Sequence, residues 1–197
     1  MRVIGVDPAL AGATGFGVVE VSRGGASALH FSALKLPARA SLSVRLREIH
    51  TMMVKLLEEF SPDAVAVEAV FTALNMRTAL KLAEVRGVVL LAAAQAAIPA
   101  HSYSPREVKA SIAGYGAASK QQMQQMVGMQ LGMRSYPEPS DAADALAVAL
   151  CHAHKAAAQA RIAAATGGRV QPVSPVKEER PQAVPAKYSR IARNSAI

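Results

Sequence analysis

Val3-Ile4-Gly5-Val6-Asp7-Pro8, with Thr14-Gly15-Phe16-Gly17-Val18 close behind it, decides the fold. A continuous β-branched run bounded by a small-residue turn reads as a fully buried strand over residues 3–7. Residues 8–13, with Pro8 and Gly12, form a turn into a second strand at 14–21. Gly24-Gly25 turns the chain again, into a third strand near 28–36. The chain therefore begins as an antiparallel set.

Beyond this set, helices and strands alternate. Ser41 is an N-cap for a helix over 42–60, whose apolar face is Leu42, Leu46, Ile49, Met53, Leu56, Leu57 and Phe60. Ser61-Pro62-Asp63 turns into a buried strand at 64–68, and residues 69–75 lead into a long Ala- and Leu-rich helix ending near 97. A short strand at 100–104 precedes Pro105, which fits the first turn of a helix carrying Arg106 and Lys109. A glycine-bearing break at 114–116, a helix over about 119–131, a loop at 134–140 with Pro137 and Pro139, and a last helix over 140–165 complete the pattern. Strands succeeded by alternating helices and strands predict a mixed α/β domain with one central sheet.

The composition narrows the function. The chain has 197 residues, 51% of them hydrophobic, enough for one domain with a real core. Aromatics are 4% with no Trp, so that core is aliphatic and Ala-rich. The net charge of +8 points to an anionic partner, nucleic acid before a membrane surface. Residues 87–98, the longest apolar stretch, are too short to span a bilayer. The N-terminus runs into a strand without a cleavable signal pattern. The single cysteine, Cys151, reads as a small core residue, and one cysteine fits a reducing cytosol. From residue 167 the composition changes: residues 169–197 hold six basic and two acidic residues and four prolines, so this part carries +4 of the +8. The expectation is one domain over 1–166 and a disordered basic tail over 167–197.

Four carboxylates stand out in this basic chain. Asp7 and Glu68 each close a buried strand, and open α/β sheets place ligands at the carboxyl ends of strands. Buried carboxylates there need a cation or donors to offset desolvation. Asp141 and Asp144 lie three apart at a helix start and so share a face. Convergence of the four would bind a hard cation such as Mg²⁺ through oxygen, which suggests metal-dependent chemistry on a polyanion. Each has a plainer alternative. Asp7-Pro8 is also a common turn, Glu68 has Arg77 and Arg86 as candidate ion-pair partners, and Ser140 or Asp141 can simply cap the helix. Arg106, Lys109 and Lys120 flank the glycine break, where they either contact phosphates or form a solvated face. Phe71 is either a core residue or a platform for an unpaired base. His152 and His154 read as helix-surface residues.

Taken together, these segments resemble the RuvC family of Holliday-junction resolvases, from residue 1 to about 154. The resemblance is carried by Ile4-Gly5-Val6-Asp7-Pro8 with Thr14-Gly15-Phe16-Gly17-Val18, and by Val67-Glu68-Ala69-Val70-Phe71 with Asn75 and Arg86-Gly87. It continues through Val108-Lys109, Gly114-Tyr115-Gly116 and Lys120-Gln121-Gln122-Met123 to Asp141-Ala142-Ala143-Asp144-Ala145-Leu146-Ala147. Four such segments in this order and spacing are specific. The resemblance implies a ribonuclease-H-like fold and a homodimer that nicks opposed strands of a four-way DNA junction in recombination and repair. It implies two Mg²⁺ ions per subunit, replaceable by Mn²⁺, held by Asp7, Glu68, Asp141 and Asp144, the catalytic acids. Asp7 would bridge the two ions. It assigns Lys109 and Lys120 to DNA contact, with Arg106 beside them, Phe71 to the junction centre, and a branch-migration helicase complex of RuvA and RuvB as partner. The family usually carries Asp-Pro-Gly and a basic residue in the first turn; here Asp7-Pro8-Ala9-Leu10-Ala11-Gly12-Ala13 lacks the basic residue. Three rivals stand against this: a related nuclease acting on RNA–DNA hybrids, an actin-like ATPase, for which the chain is too short, and a junction-binding protein without catalysis.

Overall fold

Alternation of side chains along the first strand sets up two faces, and each face acquires its own helical layer. The computed structural model describes residues 1–9, 12–69 and 76–167. In chain order the elements are β1 (Arg2–Asp7), β2 (Thr14–Ser22), β3 (Gly25–Leu34), α1 (Leu42–Phe60), β4 (Ala64–Glu68), α2 (Met76–Gln95), β5 (Ala100–Tyr103), α3 (Pro105–Ala113), α4 (Lys120–Gln130) and α5 (Ser140–Ala165). The sheet runs β3-β2-β1-β4-β5. β1, β2 and β3 pair antiparallel, while β1–β4 and β4–β5 pair parallel. The mixed α/β expectation is met.

Ile4, Val6, Phe16, Val18, Val65 and Val67 point to one face and pack against α1 and α2 through Ile49, Met53, Leu56, Val85 and Val89. Val3, Val19 and Ala66 point to the other and meet Leu146, Leu150 and the alanines of α5. On this second face the sheet is nearly bare of side chains. Gly5 and Gly17 are cross-strand partners, as are Asp7 and Gly15. A Cβ added at Gly5 would overlap the carbonyl oxygen of Ala145, and one at Gly15 the carbonyl oxygen of Asp141. At Gly17 it would come within 2.8 Å of the Leu146 nitrogen. α5 thus lies in backbone contact with β1 and β2. Its own run of buried alanines, Ala142, Ala143, Ala145, Ala147 and Ala149, permits the same closeness from the other side.

Three expectations need correction. β3 begins at Gly25 rather than near 28, because the hairpin pairs from its first residue, Ser22 with Gly25. Leu42 is 39% exposed; the buried stretch of α1 starts only at Ile49, two turns into the helix. His152 is buried, not on a helix surface, since α5 is covered by the sheet on one side and by α3 and α4 on the other. Cys151 is buried as expected. The proposed tail falls almost wholly outside the described residues.

A glycine filled at the α5 groove should cost more than overpacking in a tolerant core, because backbone rather than a side-chain tip must yield. Gly5→Ala is expected to lower the melting temperature by about 5 °C or more. Gly24→Ala, whose added carbon would meet nothing closer than the Ser22 hydroxyl at 3.7 Å, should leave it nearly unchanged. Circular dichroism melts of the two variants check this.

Candidate active site

Register brings the first two acids together. β1 and β4 run parallel with Val6 opposite Val67, so the next residues, Asp7 and Glu68, stand side by side at the carboxyl ends of their strands. By alternation both face α5. They share a side-chain hydrogen bond. The other two acids arrive on α5. Gly15, the cross-strand partner of Asp7, seats the Asp141 carbonyl against the sheet. One turn on, Asp144 reaches the same cavity.

Two of the plainer alternatives, helix capping and an ion pair at Glu68, do not hold. Pro139 occupies the N-cap of α5 with no side-chain capping bond, so neither Ser140 nor Asp141 caps it. Arg86 donates to the Ser102 hydroxyl at 2.8 Å, and among the described residues no ion pair involves Glu68.

Three of the acids line a cavity of about 220 Å³ together with Lys109 and Lys120. Asp7, Glu68 and Asp144 are on its wall. Asp141 is half-buried and is not among the residues that line it; its Oδ1 lies 3.9 Å from where a Cβ on Gly12 would stand. Arg106 lies on the exposed side of α3, its stem against Gly116. Phe71 lies outside the described residues. The lysines are aimed by two capping boxes that the sequence reading missed, although the Ser-x-x-Glu and Ser-x-x-Gln spacings announce them. Ser104 with Glu107 starts α3, and Ser119 with Gln122 starts α4. Lys120, the first residue of α4, pairs with Asp144 at 3.2 Å.

Electrostatically the cluster is overcharged. Burial, then the charge of Glu68 and the hydrogen bond to it, and then the charges of Asp144 and Asp141 push the Asp7 carboxyl up to about 9. Burial also raises Glu68, against the opposing pull of Asp7's hydrogen bond and of Lys109. Burial raises Asp144, opposed chiefly by Lys120. The donor set is all carboxylate oxygen, which fits a hard divalent cation and no soft one. Among the described residues no three acids are gathered around one point, and the Lys120 ammonium stands 3.2 Å from the Asp144 carboxylate.

On the same sheet face, farther down α5, the Tyr103 hydroxyl and His152 Nδ1 lie 2.7 Å apart. The His152 ring sits 4.5 Å from that of His101. Burial, then the neighbouring His101, push His152 down to about 4, and burial lowers His101. Lys155 lies over the Tyr103 ring and bonds Glu107. This cluster fastens α5 to β5 beside Glu68, whose cross-strand partner is Tyr103.

Comparison with known proteins gives this geometry a lineage. The family model described as crossover junction endodeoxyribonuclease RuvC matches residues 3–152. The chain belongs to the RuvC family. It is 45% identical to RuvC of Syntrophomonas wolfei over 154 residues, 78% of this chain and 89% of that protein. It is 46% identical to RuvC of Chloroflexus aurantiacus over 156 residues, 79% of this chain and 94% of that one. The solved structure of Thermus thermophilus RuvC superposes with a TM-score of 0.72 at 36% identity, covering 85% of this chain and 98% of that one. The same enzyme in complex with Holliday junction substrate gives 0.71 at 34% identity, with the same coverage. The ribonuclease-H-like fold of this chain is that of its RuvC relatives, and the family's nucleases depend on divalent metal.

His152 also predicts a pH dependence. Its folded pKa lies below the 6.5 of an unfolded histidine. It therefore contributes stability that is full above the unfolded value and is lost as pH falls through the folded one, because the unfolded chain binds the extra proton. His101 acts in the same sense. Because the raised carboxyls of the acid cluster act in the opposite sense and are common to both chains, the histidine effect shows in a difference: between pH 7 and pH 5 His152→Gln, which keeps a hydrogen-bonding partner for Tyr103, should lose several degrees less of melting temperature, or gain more, than the parent chain. Scanning fluorimetry across pH reads both.

Proposed function

We propose that this chain is a resolvase: it nicks opposed strands of four-way DNA junctions by divalent-metal-dependent phosphodiester hydrolysis, in recombination and repair. The observation that carries the reading is the meeting of Asp7, Glu68 and Asp144 in one cavity bordered by Lys109 and Lys120. A buried acid cluster of this kind is incomplete without a cation. The 34% identical Thermus relative, solved with a Holliday junction, supplies the substrate class.

Asp7, Glu68, Asp141 and Asp144 would hold two Mg²⁺ ions, with Mn²⁺ as a substitute. When bound, such ions supply an activated water and stabilise charge on the entering and leaving oxygens. The chain's own part is positional. The sheet edge fixes Asp7 and Glu68, and the glycine groove fixes Asp141 and Asp144. Lys109 and Lys120, with Arg106, neutralise phosphates on either side of the scissile one, and Phe71 acts at the junction centre. Lys120 is engaged with Asp144 and becomes available to phosphate when a divalent ion takes that carboxylate.

A two-fold junction asks for a two-fold protein. Leu80, Ala83, Gly87, Leu91 and Ala94 form an exposed apolar stripe along α2; Leu80 is 59% and Leu91 53% exposed. This is the face we assign to the homodimer. We also propose a cytoplasmic location and docking to a RuvA and RuvB helicase complex, readings that family membership supports. Among the described residues no helix is long and apolar enough to cross a membrane.

An end-labelled synthetic four-way junction with Mg²⁺ tests the proposal. The intact chain should give paired symmetrical nicks, and Glu68→Gln should lower the rate by about a thousandfold or more. Tight binding without nicks, with Mn²⁺ as well, would leave a junction-binding protein. Equal cleavage of an RNA–DNA hybrid would leave a general nuclease. In calorimetry at neutral pH, Mg²⁺ binding should release about one proton, read from buffers of different ionisation enthalpy, and Asp7→Asn should abolish that release. For the dimer, Leu91→Glu should sediment as a monomer where the parent chain sediments as a pair.

A further inference from the structure

The loop between α3 and α4 carries an aromatic residue that the catalytic machinery leaves unused. Tyr115 is 47% exposed in a chain whose aromatic content is only 4%. An exposed tyrosine ring is ordinarily free to swing. This one is tied at its far end: its hydroxyl donates to Gln122 Oε1 at 2.7 Å. The same oxygen accepts the Ser119 amide at 2.9 Å, as part of the capping box that starts α4. The ring is therefore anchored to the rigid first turn of a helix while its faces stay open.

Its surroundings are cationic. Gly114, at φ +84°, ends α3 and turns the chain outward. Gly116 leaves room for the stem of Arg106, which a Cβ there would meet at 2.6 Å, so the guanidinium lies beside the loop. On the other side, Lys120 begins α4 and reaches Asp144 in the cavity. An apolar face between two phosphate-seeking groups, next to a carboxylate cluster built for phosphodiester chemistry, has the make-up of a nucleobase platform. Aromatic rings stack on any base that has left its pair, and flanking cations hold the backbone on each side. A fully paired duplex offers no open base face to such a ring. A branch point does.

We propose that Tyr115 stacks on a base freed at or next to the branch point of the DNA substrate, and so helps the chain favour a junction over linear duplex. This rests on the resolvase reading. It concerns binding rather than the chemical step, so Tyr115 is a substrate-contacting residue outside the acid cluster.

The test uses the full chain and an immobile four-way DNA junction carrying 2-aminopurine at one position at a time around the crossover, without divalent metal. Stacking quenches this base. The intact chain should quench one or two positions. Tyr115→Phe and Tyr115→Trp should keep that signal, and Tyr115→Ala should lose it. Tyr115→Ala should also weaken junction binding about tenfold while binding to linear duplex of the same length stays the same. A Tyr115→Ala chain with unchanged quenching and affinity would overturn the proposal. So would an equal loss for junction and duplex, which would mark a general loop or charge effect. Melting temperature and far-ultraviolet circular dichroism confirm that each variant is folded. The intact chain's own preference for the junction over duplex reports on the resolvase reading separately: should that preference be absent, the reading fails and this proposal with it, whereas its presence together with an inert Tyr115→Ala overturns only the platform.

Discussion

The approach of α5 to the sheet, backbone against backbone, is the constraint from which the site arises. Glycines at 5, 15 and 17 remove the Cβ atoms from the middle of β1 and β2 on one sheet face, and the alanines of α5 present nothing beyond a methyl group from above. Ordinary packing of a helix on a sheet leaves about 10 Å between axes, filled by side chains. Here that filling is gone, and the helix start is brought to the strand ends. Carboxylates have short side chains. Asp141 and Asp144 can share a small volume with Asp7 and Glu68 only when their backbones are this close.

That closeness creates the electrostatic problem the rest of the site manages. Acids at a partly desolvated edge repel one another, and burial of Asp7, Glu68 and Asp144 favours the protonated form of each. The structure resolves the conflict in two ways at once. Asp7 and Glu68 are both pushed toward their protonated forms, and Lys120 sits on Asp144. Both are weaker answers than a divalent cation, which would meet several oxygens together. Metal binding at these acids, as proposed, and the raised Asp7 carboxyl would thus be two expressions of the same repulsion. The lysines are held on helices whose starts are fixed by capping boxes, so the positive charge stays near the acids.

Much of this was legible in the sequence because local rules and global fold agree. The β-branched run ending at Asp7, the Ala64–Glu68 strand and the limits of α1 and α5 follow from periodicity and turn residues. The acids at strand ends follow from the same patterns. Other features required three dimensions. A glycine in a strand reads as a weakness or a bulge; only the partner above Gly5 and Gly15 shows that it makes a groove. His152 reads as a surface residue, because periodicity on an Ala-rich helix gives no polar face to contrast with it. It is buried since α5 is covered on nearly all sides, and its partner Tyr103 lies 49 residues away, beyond the reach of any local pattern. The cavity likewise takes residues from β1, β4, α3, α4 and α5, so its shape cannot be read from any one segment.

The elements divide the work between them. Acids stand on strand ends and on the start of a long buried helix, where displacement is resisted by the whole core. Cations and the exposed aromatic stand on short helices and the turn between them, where the surface can meet a large substrate. Capping boxes connect the two sets: Gln122 holds the first turn of α4 and the hydroxyl of Tyr115 with the same side chain. The cation that faces the acids and the ring that faces solvent are consequently fixed by one local motif. Any movement of that turn shifts both together, so electrostatic neutralisation at Asp144 and contact with the substrate's bases are coupled by covalent proximity rather than by a long path through the core.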